Sequence, residues 1–339
     1  MEFTLTKKDL LKLSKENNYS ANNIEKVLRL CDILTMLNTD SRTSGELVLK
    51  GGTAINLVAF EHIPRLSVDL DFNYAYNVGK DDMIEKRSNI NAFLNERLAE
   101  KGYQISYRKT FTLDSISLKY KTISGCFDKI KLDINYQNRC HIFEAVNKTI
   151  AMPFWGNGRF GVRIKSLQDI ELFAGKIKAF YERCKPRDVF DIYTIAKSGR
   201  INSDEIKCLL RKCILFYGCI GNTSRKPIFG PDVKNLLEMP FLDIKTQLLP
   251  MLHLGCGKYP KDEINNTIIE FLGDLMNPDD NDIEFWNKFM DGEYEPGLIF
   301  DDDIADKLRD HPVALYTLKV LMENKDEMKT EELPKGIKR

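Results

Sequence analysis

Asp69-Leu70-Asp71-Phe72 sets two carboxylates two residues apart between apolar neighbours, sixteen residues after Gly51-Gly52-Thr53. Side chains alternate along a strand, so Leu70 and Phe72 would be buried while Asp69 and Asp71 share the opposite face. Carboxylates one strand step apart sit roughly 6.5 to 7 Å apart at the backbone and can converge on one or two divalent cations. Hard oxygen donors suit Mg²⁺, or Mn²⁺ in its place, and phosphate oxygens complete such a coordination shell. A bound cation would also relieve the mutual repulsion of the pair.

The glycines supply the other half of that chemistry. Leu47-Val48-Leu49 reads as a short apolar strand, Gly51-Gly52 as a turn, and Thr53 to Val58 as the start of a helix. Glycine lets a phosphate approach the backbone, and the first amides of a helix are unpaired donors, so Gly51, Gly52 and Thr53 could hold a triphosphate. A third acid lies in Asp128 to Tyr136, where Ile130, Leu132 and Ile134 alternate with Lys131, Asp133 and Asn135. With Ser115 to Lys121 as a second strand and Ser124-Gly125 as the turn, these form a hairpin of one mixed sheet. Asp133 could then stand beside Asp69 and Asp71 as a further metal ligand. A Gly-Gly turn alone is usually only a turn, and an Asp-x-Asp strand is usually solvated; the ordered set is more specific than its parts.

Farther on, Lys176 lies in a helix and Asp188 and Asp191 lie three apart, on one face if the segment after Pro186 is helical. Lysine can neutralise charge on a transferring phosphate and aspartate can hold it or accept a proton. By spacing alone they read equally as an ordinary salt bridge on a helix surface.

In order and spacing the strand, Gly-Gly, helix, Asp-x-Asp strand and later Asp strand resemble the polymerase-beta-like nucleotidyltransferase fold. Leu49 to Ala54, Arg65 to Phe72, Gly175 to Phe180 and Lys185 to Tyr193 together resemble the AbiEii/AbiGii toxin family of nucleotidyltransferases, with Gly52-Thr53 where that family often has Gly-Ser. The resemblance implies catalytic roles for Asp69, Asp71, Lys176 and the Asp188 to Asp191 block, with Lys178 as the alternative to Lys176. It implies nucleotide contacts from Gly51, Gly52, Thr53, Arg65, Ser67 and Arg187, although Arg187 could equally pair with a neighbouring acid. It implies a Mg²⁺-dependent toxin of a toxin–antitoxin or phage-defence pair, with a cognate antitoxin. Such an enzyme would transfer a nucleotide from a nucleoside triphosphate to RNA, most directly a transfer RNA 3′ end. A protein or small-molecule acceptor, or a non-catalytic nucleotide- or RNA-binding module, are the alternatives.

With 43% hydrophobic and 29% charged residues the chain can bury a sizeable core. It has no apolar run near the roughly 20 residues needed to span a bilayer and no signal-peptide h-region, so a cytoplasmic protein without membrane contact is expected. Eight cysteines without a Cys-x-x-Cys pair, and four histidines away from them, read as reduced core thiols and not as a zinc site. Fifty basic and fifty acidic residues cancel, yet their distribution is uneven. Arg159 to Arg187 carries eight Lys/Arg against three acids, and Asp279 to Asp306 carries eleven acids against Lys288. The first stretch could attract triphosphate and RNA; the second reads as a solvated face.

The chain reads as α+β: N-terminal helices over a mixed nucleotidyltransferase-type sheet, then a mostly helical C-terminal part. Thr6-x-x-Asp9 starts one helix, Ile24, Val27, Leu28, Cys31 and Leu34 stripe a second after Ser20, and Asp81 to Lys101 forms another with Ile84, Ile90, Phe93, Leu94 and Leu98 as its apolar residues. Met152 to Gly158 is the clearest break, giving domains of 1–160 and 161–339, and Ser166-x-x-Asp169 is read as the cap of the next helix. The charged tail after Asn324 is expected to fray.

Overall fold

The alternating apolar residues build one seven-stranded mixed sheet in the order β3-β4-β5-β2-β1-β7-β6. Its strands are β1 Leu47–Lys50, β2 Asp69–Tyr74, β3 Gln104–Lys109, β4 Leu113–Lys121, β5 Phe127–Asn135, β6 Val146–Ala151 and β7 Arg159–Ser166. A computed structural model describes residues 5–60, 63–151, 159–224, 226, 229, 232–254 and 259–331, with backbone alone at 151, 159–162 and 326–331. The expected break at Met152 to Gly158, the histidine at 62 and the cysteine at 256 lie outside the described residues.

β1 and β2 hold the centre. They are antiparallel to each other, while β1 runs parallel to β7 and β2 parallel to β5. Val48, Leu49 and Leu70 are fully buried and Phe72 nearly so, as the apolar alternation requires. The sheet therefore continues through Ser166, and the boundary expected near residue 160 falls inside β7. One hydrophobic core extends from Leu10 to Leu321 across that position.

Helices α1 Lys7–Asn17 and α2 Ala21–Thr39 precede the sheet. Thr6 and Asp9 form the expected capping box, and the α2 stripe is almost wholly buried. Glu25 on α2 is buried too, and its carboxylate accepts both from Arg29 and from the Ile123 amide at 3.0 Å, tying the helix to the β4–β5 turn. α4 Lys80–Glu100 packs with Ile90, Phe93, Leu94 and Leu98 inward. The register differs at its start, where Met83 is buried and Ile84 is 45% exposed.

After β7 the chain is helical: α5 Asp169–Arg183, α6 Pro186–Lys197, α7 Asp204–Ile220, α8 Val233–Leu236, α9 Phe241–Gln247, α10 Lys261–Leu275, α11 Asp280–Asp291, α12 Asp302–Leu308 and α13 Pro312–Glu331. Ser166 does not cap α5. It ends β7 with its hydroxyl donating to backbone carbonyls, and the N-cap is Gln168 without a side-chain bond. α13 continues past Asn324, where fraying was expected. Part of the acidic stretch serves capping, not solvation alone: Asp279 and Asp282 close a capping box on α11 and share Arg211, and Asp301 caps α12. Seven free cysteines occur among the described residues, and Cys126 is exposed, unlike the core thiols expected.

Asp114 on β4 is fully buried and is held by Arg87 and by Asn91 of α4, the latter at 2.8 Å. Arg87→Ala would leave that carboxylate buried with its cation gone. The expected loss is about 3–5 kcal/mol in urea unfolding; a change under about 1 kcal/mol would mean that Asn91 alone satisfies it.

Candidate active site

Gly51 opens α3 Gly51–Ala54, which continues as a π-helical turn over Ile55–Ala59. Its φ of +71° is a conformation that residues with a Cβ rarely adopt, and a Cβ placed there would lie 2.6 Å from Asp71 Oδ2. Glycine is therefore required twice over: by the turn and by the carboxylate pressed against it. At Gly52 a Cβ would lie 2.9 Å from Arg65 Nη2.

The registers bring the three acids together. Asp71 lies opposite Lys50 on one side and opposite Asp133 on the other, with Asp69 one strand step away on the same face. Burial pushes the Asp71 carboxyl above the usual range; nearby Lys50 opposes this, while Asp133 and Asp69 add to it. Asp133 is already engaged, accepting from Ser115 Oγ at 2.7 Å and Lys131 Nζ at 2.5 Å. Arg187 reaches from α6 to Asp69 at 3.4 Å, so the pairing alternative is the one observed for it. Among the described residues no three carboxylate, imidazole or thiol groups stand ready to hold an ion. Asp69 and Asp71 share one face, and the repulsion between them that helps to raise Asp71 is what a hard divalent cation held by the pair would relieve.

Several residues expected at the nucleotide lie behind the turn instead. Arg65 is 2% exposed and grips Asp191 with two bonds of 2.7 Å. Ser67 is buried beside Thr53, and the Thr53 hydroxyl, also buried, donates to the Asp69 carbonyl. The reason is steric: glycine at 52 leaves space that Arg65 fills from within. Thr53 thus fixes the start of β2 against α3, and its side chain does not face the cleft.

The second cluster sits where α5, α6 and the turn meet. Lys176 Nζ lies 2.9 Å from Asp188 and 2.9 Å from Asp191. Arg183 adds a 2.8 Å contact to Asp188, and Asn56 of the turn helix donates to Asp191 at 3.3 Å and to the Gly52 carbonyl at 2.8 Å. Burial alone would raise both carboxyls, yet Lys176 and Arg183 hold Asp188 down at about 2, and Arg65 with Lys176 keeps Asp191 below its ordinary value. Asp188 and Asp191 are thus both cation-paired and buried, not exposed on a helix surface.

In front of this cluster is a cavity of about 260 Å³, lined among others by Gly51, Gly52, Asp71, Lys176 and Lys178. Lys50 also lines it and was not singled out in the sequence. Its ammonium is pushed down by burial, with Lys178 adding to the shift and Asp71 opposing it. The available signal was its place at the end of β1, level with Asp71. Arg183, Glu171 and Tyr217 line the cavity as well. Glu171 accepts from Tyr217 and from the amides of Ile142 and Phe143, yet burial still raises its carboxyl to about 7.

The sequence model of the family described as nucleotidyl transferase AbiEii toxin, type IV toxin–antitoxin system, matches residues 32–292. No curated protein sequence matches the chain significantly. Among solved structures, MenT4, a nucleotidyltransferase toxin from Mycobacterium tuberculosis H37Rv, shares the fold with a TM-score of 0.58 at 14% identity. That alignment covers 92% of this chain and 99% of the other. No helix among the described residues is long and apolar enough to cross a membrane.

Removing Asp191 would strand Arg65 and Lys176 in a buried site, whereas Asp69 is partly exposed and its partner Arg187 is exposed enough to be solvated without it. Asp191→Ala is expected to cost about 3–5 kcal/mol in denaturant unfolding, and Asp69→Ala under about 1 kcal/mol. Equal stabilities of the two variants would contradict this division between a buried support and an open site.

Proposed function

The chain belongs to the nucleotidyl transferase AbiEii toxin family of type IV toxin–antitoxin systems, and on that premise we propose that it transfers a nucleoside monophosphate from a nucleoside triphosphate to an RNA hydroxyl, at a transfer RNA 3′ end. The carrying observation is that the Asp71 carboxylate fills the space a Cβ at residue 51 would need, beside a cavity lined by Lys50, Lys176 and Lys178. Such a site offers backbone and cationic groups to a polyphosphate beside a donor pair for a hard cation. The family membership also argues for a cognate antitoxin as a partner.

In this reading the triphosphate lies along the Gly51-Gly52 turn, with Lys50 and Lys176 neutralising its oxygens. Asp69 and Asp71 would hold Mg²⁺, or Mn²⁺ in its place, an ion that supplies Lewis-acid stabilisation of phosphate charge. Asp188 and Asp191 orient Lys176, and Arg65 braces Asp191 from behind. The RNA hydroxyl attacks the α-phosphorus in line; its proton passes to water, the new O–P bond forms, the bond to the bridging oxygen breaks, and pyrophosphate leaves. Asp133 acts from beside the pair through its contact with Lys131.

Incubation with Mg²⁺, each α-labelled triphosphate and cellular RNA or protein tests the reading: labelled RNA with equimolar pyrophosphate is expected. Asp71→Asn should abolish labelling and Lys176→Ala should slow it about 10²-fold or more. Near-normal labelling by the Asp71 variant, or label confined to protein, would refute it.

The raised Asp71 carboxyl sets a pH dependence. Only its ionised form holds the cation, so activity should fall as pH drops through that raised value, with the acid limb above the ordinary carboxylate range. Lys50→Met removes a cation that holds Asp71 down and should move the limb to higher pH, while excess Mg²⁺ should move it lower. A pH–rate profile unaltered by both would exclude Asp71 as the titrating group.

A further inference from the structure

Strands β3, β4 and β5 are covered on one face and open on the other. Ile116, Leu118, Ile130, Leu132 and Ile134 are at 0% exposure on the covered side. Their alternate neighbours Lys119, Lys121, Phe127, Lys129 and Lys131 are exposed, with Gln104, Ser106 and Arg108 beside them on the edge strand.

The registers lead this open face directly to the cleft. One row runs Arg108, Ser115, Asp133, Asp71; the next runs Ser106, Ser117, Lys131, Asp69. Gln104, Lys119 and Lys129 form a third row, and Lys121 lies opposite Phe127 beyond it. Rows two residues apart are spaced about 6.6 Å along the strands, and strands about 4.8 Å across. The face therefore carries five cations, and Asp133 is its one acid outside the Asp69/Asp71 pair. Lys131 is bound to Asp133, but Lys121, Lys129 and Arg108 have no ion-pair partner among the described residues. Phe127 is 61% exposed, with Lys119 Nζ 4.5 Å from its ring centroid.

Three cations of the basic stretch identified in the sequence are engaged within the protein. Lys176 is buried between two aspartates, Arg183 is bound to Asp188 and Lys178 to Glu182. Cations on an open sheet, small polar residues between them and an exposed ring are what a single nucleic-acid strand requires: charges for the backbone and a surface for stacking bases. An apolar protein interface would need a hydrophobic centre that this face lacks.

We propose that the open face of β3, β4 and β5 is the docking platform for the single-stranded end of the RNA acceptor, lying across the lysine rows with its terminal hydroxyl at Asp69 and Asp71. This rests on the RNA-acceptor reading above. It makes the sheet both the carrier of the carboxylates and the guide that delivers the attacking hydroxyl.

The test uses the full chain, a single-stranded RNA oligonucleotide and the labelling assay. Lys119→Glu with Lys129→Glu should weaken RNA binding about 10-fold or more and make the log affinity against log salt slope shallower by at least about 1.4. Triphosphate binding and melting temperature should be unchanged. Phe127→Ala should weaken binding about 5-fold or more with the slope intact, as loss of base stacking does. Lys12→Glu with Lys319→Glu, both exposed elsewhere, should do neither. If the glutamate pair does not fold, Lys119→Gln with Lys129→Gln takes its place. Wild-type affinity and slope in the lysine pair, while the wild type still labels RNA, would overturn the platform and leave the acceptor reading intact. Label on protein and none on RNA would remove the acceptor reading and the platform together. A loss in the lysine pair without one in Phe127→Ala would overturn the single-strand occupant in favour of a duplex or an acidic protein.

Discussion

Asp191 is the point on which the rest of the site depends. Its carboxylate accepts Arg65 from the chain before β2, Lys176 from α5 and Asn56 from the helix after the glycine turn, all away from water. A buried ion pair adds little net stability, since desolvation of the charges offsets their attraction. Its effect here is specification: alternative arrangements that separate these groups leave charges unpaired in the interior. The same contacts align the turn, the carboxylate strand and Lys176 with one another, and Gly52 is the space that lets Arg65 in.

The sheet shows a second economy of arrangement. Odd-numbered residues of β2 and β5 face one way, so a single period of two delivers Asp69, Asp71 and Asp133 to the cleft and Leu70, Phe72, Ile130 and Leu132 to the core. A slip of one residue in either pairing would exchange acids for leucines. Burial of the apolar set therefore enforces the register on which the chemistry depends.

What was legible in the sequence follows from the same physics. Periods of two and 3.6, the Thr6/Asp9 box and the Gly-Gly turn are local signals, and the elements they announce are present. The destinations of charged side chains are not local. Nothing near Arg65 says that its partner lies on α6, and Lys50 gains its setting only when β1 pairs with β2. Ser166-x-x-Asp169 has the spacing of a cap, yet strand pairing with Leu49 claims Ser166 first. Ile84 and Met83 differ in which faces the core, a choice made by the sheet beneath α4 and not by the helix itself.

The separation of Arg65 from Asp191 has a consequence for how the protein comes into being. The two residues are 126 positions apart in the chain, and β1 must await β7 in much the same way, since Leu49 pairs with Ser166. At the usual pace of synthesis, about 5–20 residues per second, roughly 6–25 s pass between the appearance of Arg65 and of the carboxylate that fixes it. During that interval the nascent chain owns its acidic strand and its glycine turn but lacks the α6 carboxylate that ties Arg65, Asn56 and Lys176 together. The finished site is a late event of translation, and a truncated product ending before α6 is a protein without one.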